Sequence, residues 1–357
     1  MRRLPQLLYC ESNSLSMLDC GALTDTSAPR ALVATLEDAV DALRVRRAGA
    51  LSALAAFALV ESTSRASVDL GDFQSDVAAA ATRLQDASGC ELPRVRRAVD
   101  AVRGAVQATF DTSLAESSSS LCYGHPIGFV LAARKAALAT ARSVAAEDVR
   151  DCADIAAAAG ALIPARRGVR VAVTDDSAWF AAPEWSAAWG AVLDAERRGL
   201  EPTALVDSDV AAWALRCCGL PEERIARSGG GAARADVVFV AADWVAADGS
   251  AGAACGAQRE GSGEGSREGG SARRCGLARA AALAERSAAP LYVLAPTSAI
   301  DCAVEFSQTL GAEADTIAAQ RVESIVTERS VVAPTRSAVA AAEAGKASHA
   351  FVVRALS

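Results

Sequence analysis

A change of periodicity near Gly168 constrains this chain more than any other feature of its sequence. Beyond it, short apolar and β-branched runs at 169–173, 202–206, 236–241 and 290–295 are separated by helical patterns at 184–198 and 210–218 and by a longer stretch before the last run. Strands that alternate with helices return the chain to the same sheet end each time, which builds a parallel sheet with right-handed crossovers. Upstream, apolar residues recur every three or four positions. Leu32, Leu36, Val40 and Leu43 begin the pattern, which continues around 48–61, 72–87, 94–109 and 126–142. The serine run at 117–120 and the Gly124-His125-Pro126 turn break it, and the Glu147-Asp148 pair starts a further helix that ends near Leu162. The first residues read as a short β-hairpin, with Leu7-Leu8-Tyr9 facing Leu15-Ser16-Met17-Leu18 across Glu11-Ser12-Asn13. The expected fold is therefore α/β. A mainly helical N-terminal domain with a short β-hairpin covers 1–164, and a Rossmann-like parallel-sheet domain covers 165–357, with a flexible Gly/Ser insertion at about 258–275.

Composition excludes several classes of function. With 36 Lys plus Arg against 43 Asp plus Glu the formal charge is -7, so no basic surface is available to hold a nucleic-acid backbone. The most apolar stretch, 48–60, is shorter than the roughly 20 residues that span a bilayer. The N-terminus has no continuous apolar segment of the secretory kind. The 10 cysteines are scattered without a CxxC pair and only His125 and His349 could join them, which argues against a zinc site and for reduced thiols in a cytoplasmic setting.

Candidate functional residues lie at strand ends. Asp243 follows the third strand directly, at the carboxyl end where open α/β sheets bind ligands, and a carboxylate there can exchange protons with a sugar carbon or hydroxyl. Capping of a turn or helix is the structural alternative. Asp207 and Ser208 end the second strand and begin a helix, where they either cap its first free amides or contact a substrate. Arg46, in the Val45-Arg46-Arg47 stretch between two helical segments, has the fork geometry to grip a phosphate, or is simply solvated charge. Gly229-Gly230-Gly231 precedes a strand and lacks the phosphate-loop pattern, so it reads as a connector. Cys122 and His125 share a turn without an orienting carboxylate.

Several segments, in order, resemble the methylthioribose-1-phosphate isomerase family, whose fold is shared by the alpha, beta and delta subunits of translation initiation factor 2B. Leu15-Ser16-Met17-Leu18-Asp19 is similar to the family's LxxLDQ, and Val45-Arg46-Arg47-Ala48-Gly49-Ala50 to VRGAPA. Residues 241–249 are similar to GADRIAANG, 295–301 to APTSTID, and Thr327-Glu328-Arg329 to the end of IEER. The resemblance implies a homodimer that uses no cofactor or metal and binds a sugar phosphate. The implied activity is aldose–ketose isomerisation of 5-methylthioribose 1-phosphate, as in methionine salvage, with Asp243 as acid/base and Arg46 on the phosphate. The chain also departs from the pattern. The family's THCNAGALAT segment, which bears a catalytic Cys, has no counterpart, and Cys152, Cys217, Cys218 and Cys255 do not match it. Ala178, Ala182 and Trp185 stand where ETRPxxQGAR has Arg, Gln and Arg, Leu92 stands where RPTA has Arg, and Ala254 where ANK has Lys. A non-catalytic binding or regulatory relative, like the initiation-factor subunits, is the implied alternative.

Overall fold

The structure, a computed structural model, describes residues 8–11, 14–18, 31–33, 37, 39–40, 51–66, 70–88, 92–119, 126–174, 186–206, 211–212, 215–216, 218–228, 233–254, 276–302 and 314–345. The described residues up to Asp148 form one compact unit and those from Val149 onward another.

In the first unit, β1 (Leu8–Glu11) and β2 (Ser14–Leu18) pair antiparallel as the expected hairpin. β3 (Ala31–Val33) adds to β2, also antiparallel. This corrects the expectation that a helix begins at Ala31: the three residues run as a strand along β2, whose tertiary pairing overrides the three-to-four spacing that Leu32 starts. Among the described residues the long helices that follow are α1 (Leu51–Arg65), α2 (Leu70–Ser88), α3 (Pro93–Ser119) and α4 (Pro126–Ala161). The serine run does not end α3 before Ser119, and the predicted pair of helices at 126–142 and from Glu147 is one helix of 36 residues. In α2 the buried Phe73, Val77, Ala80, Ala81 and Leu84 follow the helical period. Phe73 meets Phe110 of α3 edge to face, with centroids 5.6 Å apart.

In the second unit a seven-stranded sheet runs in the order β14-β13-β10-β7-β4-β5-β6. Its members are β4 (Arg170–Thr174), β5 (Thr203–Val206), β6 (Ile225–Arg227), β7 (Val237–Ala241), β10 (Leu291–Leu294), β13 (Ser324–Val326) and β14 (Val331–Val332). Every pairing is parallel except that of the edge strand β14. The four predicted strands are β4, β5, β7 and β10, which lie side by side in the interior of the sheet. Their residues alternate between two cores: Val171, Val173, Val237 and Phe239 face one, and Ala172, Val238 and Val240 the other. The first core is completed by α5 (Ala187–Arg197) and the end of α4 (Ile155, Ala159), the second by α6 (Gly276–Ser287) and α7 (Arg336–Glu343). Burial on both faces is why these strands read as near-continuous apolar runs. α5 begins where Ser186 accepts the Trp189 amide at 3.3 Å. A second, four-stranded sheet, ordered β11-β8-β9-β12, is made of β8 (Trp244–Ala246), β9 (Ala251–Ala254), β11 (Ile300–Asp301) and β12 (Ala314–Ile317).

Candidate functional site

The strand order gives the place of the candidate residue Asp243. β4 is an interior strand, β5 and β6 extend the sheet to one side, and β7, β10, β13 and β14 extend it to the other, so the chain reverses direction between β4 and β7. Helices cover opposite faces on the two sides of that point, and in open α/β sheets this is the place where ligands bind, at the carboxyl ends of the two strands. β7 ends at Ala241, and Asp243 lies two residues on, partly buried. Its backbone is fixed on both sides. The Ala242 amide donates to the Leu294 carbonyl at 3.1 Å, and the Asp243 amide to the Gly252 carbonyl at 2.9 Å. Asp243 is thus carried at the switch point by the junction of the two sheets.

The rest of the 241–249 segment is structural. Trp244 and Gly252 face each other across β8 and β9, and the indole lies over the glycine. Asp248 accepts both the amide and the hydroxyl of Ser250, at 2.9 and 2.5 Å, which closes the β8–β9 turn. Gly249 has φ +86, and a Cβ there would meet the backbone of Pro334 at 2.6 Å. Only glycine satisfies both conditions.

Two further motifs meet each other. Thr297, past the end of β10, donates its amide to Glu328 at 2.8 Å and its hydroxyl to the other oxygen of the same carboxylate. Glu328 follows β13, keeps 10% of its side chain exposed, and also faces Arg329 at 3.4 Å. Thr327, fully buried, accepts the amides of Arg329 and Ser330 at 3.2 and 3.0 Å and so folds the turn that aims the carboxylate. Residues singled out by separate motif matches therefore form one clamp across adjacent strand ends. Their type signals the contact, a hydroxyl and a carboxylate each just past a strand, but nothing in the sequence states that those strands are neighbours.

Of the other predicted site residues, Arg46, Asp207 and Ser208 lie outside the described residues, as does the Gly/Ser insertion. Trp189 is buried in the core beneath the sheet. Among the described residues no three His, Cys, Asp or Glu side chains gather in a way that would hold a metal ion, and no helix is long and apolar enough to cross a membrane.

Cys302 follows β11, and its amide faces Glu343 at 3.4 Å. Burial pushes its thiol up to about 12, helped by the hydrogen bond and negative charge of Glu343 and by Asp301, against Arg336. A thiol so shifted is the proton-bearing form at pH 8, with about a thousand-fold less thiolate than an ordinary cysteine. Alkylation of the native protein at pH 8, read by mass spectrometry, should leave Cys302 unmodified while denatured chains react. Equal rates in the two states would refute the shift. Because the folded value lies above the unfolded one, the associated stability is complete below about pH 8.5 and is lost as pH rises toward 12.

No protein-family model matches the chain, and no curated protein matches it in sequence. Solved structures do. The 5-methylthioribose 1-phosphate isomerase of Pyrococcus horikoshii superposes over 95% of this chain and 96% of its own, with TM-score 0.62 and 16% identity. The delta subunit of translation initiation factor eIF-2B from A. fulgidus covers 93% and 96%, with TM-score 0.58 and 16% identity. The tetrameric eIF2B-beta2-delta2 complex from C. thermophilum contributes a chain at TM-score 0.55 and 15% identity, covering 87% and 94%. The chain has the fold these proteins share. The structural likeness spans nearly its whole length, as the ordered motifs do, and at such identity it speaks for the fold and not for an activity.

Proposed function

We propose that the carboxyl ends of β4 and β7 bind a phosphorylated sugar and that Asp243 is its acid/base group. The reaction would be an aldose–ketose isomerisation of the 5-methylthioribose 1-phosphate type, carried out by a homodimer, with Arg46, Asp207 and Ser208 on the substrate. The position of Asp243 at the switch point, its amide held by Gly252, is the observation that carries this reading. In such a reaction the bond between C1 and the ring oxygen breaks, the hydrogen on C2 ends on C1, and the C2 hydroxyl proton ends on the ring oxygen. A carboxylate that takes and returns a proton serves that sequence.

A second reading, a non-catalytic binding or regulatory relative, is favoured by two departures from the motifs. The Cys-bearing segment has no counterpart, and Ala254, Ala178, Trp185 and Leu92 replace Lys and Arg of the motifs, so charge-assisted contacts worth roughly 1.5–3 kcal/mol each are missing.

The test is turnover of 5-methylthioribose 1-phosphate by the purified protein with product detection. Asp243→Asn should lower the rate by roughly 100-fold or more, since general acid/base groups contribute 10²–10⁴. Absence of turnover by a folded parent protein that co-purifies with other chains would overturn catalysis and leave the binding role.

A further inference from the structure

We infer that Glu328 is a positioning residue: by tethering the two-residue strand β11 it holds β8, and through β8 the backbone that carries Asp243. This rests on the reading of Asp243 as the acid/base group. β8 begins at Trp244, directly after Asp243, and lies between β9 and β11 in the second sheet. On the β9 side, the Asp243 and Ala246 amides donate to the Gly252 and Ser250 carbonyls at 2.9 and 2.8 Å. On the other side β11 offers two residues, Ile300 opposite Val245 and Asp301 opposite Ala246. Pairing over two residues recovers too few hydrogen bonds to offset the entropy of fixing the segment. β11 must therefore be held from outside its sheet.

It is held at both ends, by carboxylates of one later segment. Just before β11, Thr297 opens a short 3₁₀ turn (Thr297–Ala299) and gives its amide, at 2.8 Å, and its hydroxyl to the two oxygens of Glu328. Just after β11, the Cys302 amide faces a Glu343 oxygen at 3.4 Å. Between these two acids in sequence, the Pro334 backbone packs against Gly249 in the turn that joins β8 to β9. The chain from Glu328 to Glu343 thus reaches the second sheet at three places. Glu328 makes the firmest of these contacts, since a nearly enclosed carboxylate takes both donors of one residue. Its own backbone is tied to the parallel sheet, where the Val326 carbonyl accepts the Ala295 amide at 3.1 Å and the Thr327 amide donates to the Ser330 carbonyl at 2.9 Å. Without the tether the 295–299 loop can lift, β11 can leave β8, and Asp243 loses the outer brace of its segment.

The test compares Glu328→Ala, Glu328→Gln, which keeps one acceptor oxygen, and Thr297→Val, which keeps the amide. The reference is Asp236→Ala, which removes the acceptor of the Arg170 amide at 2.7 Å and of Arg166 at the amino ends of β4 and β7. In native-state amide exchange, protection of Asp243 and Ala246 should fall at least about ten-fold in Glu328→Ala and by less in the two milder variants. Val238, whose amide donates to the Pro290 carbonyl inside the main sheet, should stay within about two-fold of the parent. With 5-methylthioribose 1-phosphate, kcat of Glu328→Ala should fall at least about ten-fold with KM within about two-fold, against a change under about two-fold for Asp236→Ala. Parental protection at Asp243 and Ala246 would overturn the proposal. So would a fall that Val238 shares equally, because Glu328 would then serve the stability of the whole unit, or a kcat loss no greater than in Asp236→Ala. Should Glu328→Ala not fold, Glu328→Gln and Thr297→Val decide by the same criteria. A parent protein without turnover would count against the acid/base reading alone, and the exchange comparison would still show whether Glu328 holds the Asp243 segment.

Discussion

Gly252→Ala is expected to cost the sheet unit at least about 3 kcal/mol, the upper end of overpacking penalties. A Cβ at this position would lie 2.0 Å from Cζ2 and 2.3 Å from Cε2 of Trp244. The indole is 1% exposed and has nowhere to swing, so β9 must move. The Gly252 carbonyl moves with it and the Asp243 amide loses its acceptor. Urea unfolding should show the loss, and any turnover or sugar-phosphate binding should fall with it. Trp244→Leu in the same chain should restore more than half of the stability. A Gly252→Ala protein within about 0.5 kcal/mol of the parent, as an ordinary surface change would be, would mean the two strands do not pack this closely. The pair also accounts for two departures from GADRIAANG and ANK. Trp244 occupies the Arg position and Gly252 the Ala position, and in three dimensions they are one packing arrangement.

Asp148→Ala, which takes away the acceptor of Arg94 at 2.7 Å and of the Ser52 hydroxyl, should destabilise the helical unit by about 2–3 kcal/mol. Removing one member of a buried ion pair costs roughly 3–5 kcal/mol when the partner is fully enclosed. Arg94 keeps 22% of its side chain in solvent against 9% for Asp148, which moderates the penalty. Ser52→Ala, which leaves the ion pair intact, should cost about 1 kcal/mol. Denaturant melts of the two variants give the comparison. If Asp148→Ala cost no more than Ser52→Ala, the carboxylate would be acting as an ordinary hydrogen-bond acceptor and Arg94 would contribute nothing.

The same aspartate shows why the sequence could be read only in part. An acidic pair at Glu147-Asp148 has the composition of a helix start. Asp148 instead sits inside α4 because groups on two other helices satisfy it, and one of them, Ser52, is 96 residues away. No local pattern carries that information. The strands β4, β5, β7 and β10 were legible because burial on both faces demands apolar runs. The two-to-four-residue strands β8, β9, β11, β12 and β14 were not, since Ala- and Gly-rich segments such as Ala251–Ala254 have no strand signature of their own. The place of Asp243 was legible because it depends only on the end of a strong strand. The Thr297–Glu328 clamp was not, because it depends on which strands become neighbours.

The interior position of β4, between β5 and β7, has a consequence for any attempt to divide the protein. During synthesis β4, β5 and β6 emerge first, and one edge of β4 stays unpaired until Val237–Ala241 arrives. A fragment that stops before β7 would display a flat apolar strand edge, Val171 to Val173, of the kind that recruits other chains. Truncations on that side should therefore be found in inclusion bodies, and soluble pieces should be sought only by cutting outside the sheet. The seam that holds the candidate site is the same seam that makes the domain indivisible.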